Sequence, residues 1–204
     1  MGKETESHFF ATVSRMKYIE RWALMRSSRP ENLSEHSLEV AMIAHALCTI
    51  GNVRYNRNLN AERAALIGMY HDASEIITGD MPTPVKYFNA DIRGAYKGVE
   101  IVANNRLLSQ LPEDLLPAFT DILIRNKDQE DDSERLLRRM VKAADKLSAY
   151  IKCIEEERSG NQEFRTAKQS TEKMLREMAE ELPEVRDFMD EFLPSYGKTL
   201  DELT

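Results

Sequence analysis

The chain has 204 residues, of which 42% are hydrophobic and 31% charged, and its formal net charge is −7. Seven prolines, eight glycines and an aromatic content of 7% are few for sandwiches, barrels or collagen-like repeats, so the composition favours a single all-α domain over residues 1–204. An acidic chain without a basic stripe argues against a polynucleotide partner.

Apolar residues at three- and four-residue spacing predict a series of amphipathic helices joined by short polar or proline-containing connections. In chain order, the predicted helices cover about 7–19, 34–51, 60–77, 89–109, 115–124, 133–158 and 162–181. Ser34 and Asn60 are the expected N-caps of the second and third helices, and Pro183 is expected to end the last one. No internal repeat or low-complexity linker divides the chain.

Two connections differ from ordinary loops. The stretch 20–33 has no clean periodicity and contains Arg21, Arg26 and Arg29, which predicts a loop rich in guanidinium groups. After the third helix, the sequence Met-Pro-Thr-Pro at 81–84 predicts a stiff, extended backbone, because proline restricts both its own conformation and that of the preceding residue.

Neither a membrane span nor a secretion signal is expected. No apolar run approaches the length of a spanning helix, and the charged first seven residues lack the apolar core of a signal peptide. The sequence therefore predicts a cytoplasmic protein without a membrane partner. Cys48 and Cys153 lie far apart in helical patterns, and in a reducing compartment they are expected to be buried thiols rather than a disulfide.

Histidines and carboxylates suggest a metal site. His71 is followed by Asp72 near a helix end, and His36 lies in the first turn of the second helix. Imidazole and carboxylate are typical ligands of first-row divalent metals. Asp145 is the best candidate for a remaining ligand, because its helical neighbours are mostly small or apolar. The alternative is that Asp145 pairs with a lysine or arginine and that both histidines are buried or capping residues.

These residues resemble a known family. The segments Glu35-His36-Ser37, 69–75 and Ala144-Asp145-Lys146 match the H…HD…D order of HD-domain metal-dependent phosphohydrolases, whose fold is an all-α helical bundle. More narrowly, nearly the whole chain resembles the bacterial 5′-deoxynucleotidases of that superfamily. The narrower resemblance rests on SHFF at 7–10, RW at 21–22, SEHS at 34–37 and TGDMPTPVKYFN at 78–89. Met81 departs from the pattern, where leucine is expected.

The resemblance implies one divalent metal ion. Its expected ligands are His36, His71, Asp72 and Asp145, which leave two octahedral positions for water and substrate phosphate. Cobalt, manganese, iron, copper and zinc all suit such nitrogen and oxygen ligands. The resemblance also makes Glu75 the residue that exchanges a proton with the attacking water or with the leaving 5′ oxygen. The alternative for Glu75 is a plain surface carboxylate at a helix end.

Further residues are implied to bind the substrate. Arg21 would clamp the phosphate through parallel hydrogen bonds, assisted by Lys86, although Arg21 could instead pair with a nearby glutamate. The ring of Trp22 would lie against the sugar and disfavour a 2′-hydroxyl; its ordinary alternative is core packing. The expected substrate-binding loop consists of Asp80, Met81, Pro82 and Thr83.

The predicted function is therefore metal-dependent hydrolysis of deoxyribonucleoside 5′-monophosphates to deoxynucleoside and phosphate, by an enzyme that the resemblance implies is a homodimer. One alternative is another HD phosphohydrolase, either a phosphodiesterase or a nucleoside triphosphohydrolase. The Arg21-Trp22 pair and the short chain favour the monoesterase. A second alternative is a non-catalytic helical protein with a structural metal. His8 and His45 are expected to pack or to face solvent.

Overall fold

Helices form the regular structure of the computed structural model, which describes residues 6–86 and 88–204. The α-helices are α1 (Phe9–Val13), α2 (Leu33–Arg54), α3 (Ala61–Tyr70), α4 (Glu75–Thr78), α5 (Thr83–Lys86), α6 (Ala90–Leu108), α7 (Leu116–Leu123), α8 (Asp132–Arg158), α9 (Arg165–Glu181) and α10 (Pro183–Glu191). Short 3₁₀ segments cover Ser14–Tyr18, Lys127–Gln129, Leu193–Gly197 and Leu200–Glu202.

The all-α prediction is confirmed. Within the two described ranges there is no β-strand, only an isolated antiparallel bridge between Glu20 and Asn32. No helix in these ranges is long and apolar enough to cross a membrane. Most of the charged start of the chain (residues 1–5), and Tyr87 of the resembling motif, lie outside the described residues.

The start of α2 differs from the prediction. Ser34 is not the N-cap: the helix begins at Leu33, and Asn32 Oδ1 accepts hydrogen bonds from the backbone N–H of Ser34 and Glu35 at 3.0 and 3.1 Å. Glu35 Oε2 in turn lies 3.3 Å from the backbone nitrogen of Asn32. This reciprocal pair is the arrangement of a capping box, and it fixes the turn that carries His36.

Prolines occupy early positions in two helices. The prediction of an extended backbone is wrong for Thr83 and Pro84, which belong to the one-turn helix α5. Pro183 follows the end of α9, as predicted, and is also the first residue of α10, which lies beyond the last predicted helix. Both prolines are tolerated because the first N–H groups of a helix have no partner within the helix.

The described backbone divides into two compact units, each assembled from discontinuous segments. Of the described residues, the first unit comprises 6–24, 30–37, 70–86 and 88–128, and the second comprises 25–29, 38–69 and 129–204. The single-domain interpretation of the sequence stays a prediction.

The apolar core of the first unit fixes the segments that carry candidate site residues. It is built from Phe9, Met16, Leu33, Ala73, Leu107, Leu108 and Leu111, with Phe119 packed against it. Phe9 and Phe119 meet edge to face, with ring centroids 5.0 Å apart. Leu33 and Ala73 are fully buried, so the start of α2 and the turn after α3 are held by the same cluster.

In the second unit, α9 packs against both α8 and α10. The close approach of α3 to α2 requires a glycine at position 68, because a Cβ there would lie 3.0 Å from the Cα of Ala41. Cys48 and Cys153 are both buried, as predicted, and form no disulfide with each other.

Candidate active site

The His71-Asp72 pair lies in a turn, not in a helix. The predicted helix over 60–77 is wrong at this point, because α3 ends at Tyr70 and α4 begins only at Glu75. On a continuous helix, adjacent side chains diverge by about 100°. In the turn they converge: His71 Nε2 lies 3.0 Å from Asp72 Oδ2.

His36 reaches the same carboxylate from the first turn of α2. Its side chain is fully buried, and its Nε2 lies 3.7 Å from Asp72 Oδ2. The His36 and His71 rings have centroids 5.3 Å apart. Two imidazole nitrogens therefore face one carboxylate oxygen, which brings three of the four predicted ligands together within the first unit.

Arg21 approaches this group from the loop between α1 and α2. Its Nη1 lies 3.6 Å from Asp72 Oδ2. The guanidinium also has the glutamate partner that the alternative interpretation expected, because Arg21 Nε donates to Glu31 Oε2 at 3.0 Å. Glu31 was not singled out from the sequence, since it lies in a segment without periodicity or motif.

Trp22 has an unusual backbone conformation. Its φ is +60°, in the left-handed region, which costs a bulky residue about 1–3 kcal/mol unless the surroundings hold it there. Asp80 Oδ2 accepts a hydrogen bond from the backbone N–H of Trp22 at 3.2 Å, and Glu31 Oε2 accepts one from its indole Nε1 at 3.0 Å. Trp22 is half-buried and lies outside the buried apolar cluster of its unit, so the core-packing alternative is not supported.

The way α4 ends determines where Asp80 lies. Gly79, which follows Thr78, has a φ of +73°, and its N–H bonds to the carbonyl of Glu75 at 2.7 Å. The chain then leaves the helix toward Trp22. The rest of the predicted substrate loop, Met81, Pro82 and Thr83, leads into α5, with Thr83 exposed.

Glu75 is buried, with 4% of the residue exposed, so the alternative of a plain surface carboxylate is wrong. Burial, together with the charges of Asp72 and Asp80, raises the pKa of Glu75 to about 8. Lys86 Nζ lies 3.8 Å from Glu75 Oε1 and 2.9 Å from Glu100 Oε1. A carboxyl group with such a pKa can hold or release a proton near neutral pH.

Lys86 is enclosed between acidic and aromatic groups. Besides Glu100, the ring of Tyr96 lies 4.6 Å from its ammonium nitrogen, and both residues come from α6. Glu100 and Tyr96 were missed from the sequence, because nothing in the spacing of a long amphipathic helix distinguishes them.

Asp145 belongs to the second unit. It lies on α8, is half-buried, and accepts a hydrogen bond from the adjacent Lys146 at 2.9 Å. Its helical neighbours Val141, Ser148 and Ala149 are buried, as the sequence argument requires. Its role as a ligand stays a prediction. His8 and His45 are exposed, in agreement with the sequence interpretation.

Comparisons with known proteins give one consistent result. Residues 8–196 match the family described as 5′-deoxynucleotidase YfbR-like. A 5′-deoxynucleotidase of Enterobacter sp. strain 638 is 51% identical over 200 residues, covering 98% of this chain and 97% of the relative. The 5′-deoxynucleotidase YfbR of Shigella flexneri is 50% identical over 199 residues, with 98% and 96% of the two chains covered.

Solved structures share the fold. An HD-domain phosphohydrolase from Listeria innocua superposes with a TM-score of 0.77 at 22% identity, covering 93% of this chain and 88% of that chain. A cyanophage S-2L HD phosphohydrolase, solved with dA and one catalytic Zn²⁺ ion, gives a TM-score of 0.59 at 19% identity and covers 93% of this chain and 96% of that chain.

Proposed function

The chain belongs to the YfbR-like 5′-deoxynucleotidase family and is a phosphoric monoester hydrolase, and we propose that its substrates are deoxyribonucleoside 5′-monophosphates. The observation that carries this proposal is the convergence of His36, His71 and Arg21 on one oxygen, Asp72 Oδ2, at 3.7, 3.0 and 3.6 Å. Two imidazoles and the carboxylate that they face can coordinate one cation together, and a neighbouring guanidinium can bind the phosphate of a substrate.

The residues present fit a divalent metal. Two imidazole nitrogens directed at a carboxylate oxygen form the nitrogen and oxygen donor set of cobalt, manganese, iron, copper or zinc. His36, His71 and Asp72 would hold the ion, with Asp145 as the fourth ligand that the family resemblance implies. A bound divalent ion supplies Lewis acidity, which lowers the pKa of water and offsets charge on the phosphate.

Besides metal binding, the reaction needs a phosphate-binding residue and a proton-transfer residue, and these are Arg21 and Glu75. The Arg21 guanidinium binds phosphate oxygens and supplies positive charge in an acidic protein. Glu75, with a pKa of about 8, exchanges a proton at its carboxyl group either with the attacking water or with the leaving 5′ oxygen. Its burial keeps this proton away from bulk solvent.

Trp22 and the 80–83 loop bind the nucleoside part. The left-handed backbone of Trp22, held by Asp80, fixes the indole as a wall against the sugar. An apolar wall rejects an added 2′-hydroxyl by about 10², far less than a site that loses a hydrogen bond. We therefore expect a clear but incomplete preference for deoxyribose.

A phosphate-release panel tests the function. The purified protein is assayed with deoxy and ribo 5′-monophosphates, 3′-monophosphates, a diester and a deoxynucleoside triphosphate, each with cobalt, manganese and zinc. The proposal requires the deoxy 5′-monophosphates to give the highest kcat/KM. A higher kcat/KM for the diester or the triphosphate identifies one of the other HD phosphohydrolase activities. If no phosphate is released with any of the metals, the remaining interpretation is a non-catalytic protein with a structural metal.

The ligand assignment has its own test. Asp145→Ala should lose bound metal and activity together, because removing an anionic ligand weakens the whole site. Asp114→Ala, which removes an exposed carboxylate, should retain both. Metal content is measured directly on the purified variants. Stoichiometric metal in Asp145→Ala rejects Asp145 as a ligand.

We also propose that the enzyme is a cytoplasmic homodimer. The family resemblance supports the dimer, and the buried thiols of Cys48 and Cys153 suit a reducing compartment. Sedimentation at micromolar concentration should give twice the mass of one chain. A mass equal to one chain contradicts the dimer.

A further inference from the structure

One glutamate contacts two residues of the candidate site at once. Glu31 Oε2 lies 3.0 Å from Arg21 Nε and 3.0 Å from Trp22 Nε1, and it accepts a hydrogen bond from each. The side chains of Arg21 and Glu31 are only 10% and 12% exposed. Because little water reaches this contact, the two hydrogen bonds are stronger than exposed ones would be. A single carboxylate oxygen thus joins the side chains assigned above to phosphate and to sugar.

Backbone hydrogen bonds between the two ends of the loop place Glu31 next to Arg21 and Trp22. The N–H of Arg21 donates to the carbonyl of Glu31 at 2.9 Å, and Glu20 pairs with Asn32 in the isolated antiparallel bridge. The two ends of the loop are therefore paired next to the side-chain contact. This pairing limits how far the Glu31 carboxylate can move relative to the guanidinium.

Both N–H groups of Trp22, one in the backbone and one in the indole, have hydrogen-bond acceptors. Asp80 accepts from its backbone N–H, and Glu31 accepts from its indole N–H. The two acceptors together determine the direction of the ring, given a left-handed φ that few bulky residues adopt. Loss of the Glu31 contact removes this acceptor from the indole N–H while the backbone contact with Asp80 remains.

We propose that Glu31 is a positioning residue that couples phosphate binding by Arg21 to sugar selection by Trp22. The inference rests on the proposed function, because that function assigns the roles of the two partners. In the Glu31→Gln variant the side chain keeps its length but loses its charge, so the hydrogen bond to the Arg21 guanidinium weakens and the indole loses its anionic acceptor. Both phosphate affinity and deoxyribose preference should therefore fall.

The experiment compares Glu31→Gln with Glu20→Gln. Glu20 lies in the same loop and its side chain is exposed, so the same change there is a matched control. Three quantities are measured: kcat/KM for deoxy and ribo 5′-monophosphates, the inhibition constant of inorganic phosphate, and the fluorescence emission of Trp22. Trp22 is the single tryptophan of the chain, so the emission reports on this residue alone.

For Glu31→Gln we expect the deoxy-to-ribo ratio to fall roughly tenfold, within the selectivity of about 10² that an apolar wall can supply. The inhibition constant of phosphate should rise about tenfold, the size of one weakened hydrogen bond to a charged group. The Trp22 emission should shift. Glu20→Gln should leave all three quantities at the parent values. If circular dichroism shows that Glu31→Gln does not fold, Glu31→Asp, which withdraws the carboxylate by one methylene, is measured with the same expectations.

An unchanged deoxy-to-ribo ratio overturns the proposal whatever happens to the overall rate, and so does an unchanged Trp22 emission. Failure of the proposed function appears elsewhere, in a parent protein that does not prefer deoxy 5′-monophosphates in the phosphate-release panel. Failure of this inference appears in an active parent whose Glu31→Gln variant behaves like Glu20→Gln.

Discussion

Two buried glutamates, one in each unit, have opposite acid–base properties. Glu75 is 4% exposed and Glu156 is 1% exposed, yet the pKa of Glu75 is raised to about 8 and the pKa of Glu156 is lowered to about 2. Burial on its own would raise the pKa of both carboxyl groups. The partners around each carboxylate decide the difference.

Glu156 is surrounded by donors. Its oxygens accept hydrogen bonds from Lys152 Nζ at 2.5 Å, from Asn161 Nδ2 at 2.7 Å and from the backbone N–H of Ser28 at 2.8 Å. Burial by itself would raise the pKa of Glu156, but these hydrogen bonds outweigh it. Lys152 also donates to the carbonyl of Arg29, so the ion pair anchors the 25–29 segment of the second unit.

Glu75 faces like charges instead. Asp72 and Asp80 repel its ionised form, Lys86 is 3.8 Å away, and its Oε2 has no hydrogen-bond partner among the described residues. An unsatisfied buried carboxyl group costs stability, and such costs are typical of sites that perform chemistry. These surroundings suit a stabilising role for Glu156 and the proton-transfer role proposed above for Glu75.

The largest expected effect is on turnover. Glu75→Gln should lower kcat by about 10² to 10⁴, the usual contribution of general acid–base catalysis, because an amide cannot exchange the proton. Bound metal should remain at the parent level. Glu62→Gln, which alters an exposed glutamate in the first turn of α3, is the control and should keep the parent kcat. A kcat for Glu75→Gln close to that of the control removes Glu75 from the mechanism.

The next effect is on stability. Glu156→Gln should lower the free energy of unfolding by about 3–5 kcal/mol, because it leaves the buried ammonium of Lys152 without its charged partner. Denaturant titration measures the change. Glu157→Gln, at the adjacent exposed position, should cost far less because water screens its ion pair with Lys168. Equal losses in the two variants would show that the Glu156 network does not stabilise the fold.

The sequence predicted one of these glutamates better than the other. Glu75 lies close to the His-Asp pair, so the family motif identifies it, although the turn that separates it from His71 was not foreseen. Lys152 and Glu156 are spaced like the exposed pair of Lys173 and Glu177, four residues apart on a helix. Spacing cannot show that a distant loop covers one such pair and leaves the other in water.

Among the site residues, those within a family motif could be predicted from the sequence, and those outside any motif could not. His36, His71 and Asp72 were grouped from their order in the chain, and the structure brings them together. Glu31 and Glu100 lie outside any motif, because only the folded loop and the packing of α6 bring them to Arg21 and Lys86.

The two glutamates should give opposite pH dependences of stability. The pKa of Glu156 falls from its ordinary 4.5 to about 2 on folding, so its contribution is present above pH 4.5 and is lost as the pH falls toward 2. The pKa of Glu75 rises from 4.5 to about 8, so its contribution is present below pH 4.5 and is lost as the pH rises through 8.

Unfolding free energies measured between about pH 3 and pH 9, with chelator present, test these two dependences. Glu156→Gln should flatten the loss of stability toward acid pH, and Glu75→Gln should flatten the loss of stability between about pH 4.5 and 8, each by roughly 2–5 kcal/mol. Changes on the same side of the profile for both variants contradict the comparison.

The smallest effect concerns Lys86, whose ammonium lies between Glu75 and Glu100. Its positive charge lowers the pKa of Glu75, although it lies closer to Glu100, at 2.9 Å, than to Glu75, at 3.8 Å. Lys86→Met removes the charge and should move the limb of the pH–rate profile that reports Glu75 to higher pH. Glu100→Gln weakens the competing attraction, lets Lys86 approach Glu75, and should move the same limb to lower pH.

Each shift should stay below about one pH unit, a change of less than about 1.4 kcal/mol. Because a bound metal acts on both variants alike, the direction of the difference between them is the decisive observation. Shifts in the same direction would show that Lys86 does not set the protonation of Glu75.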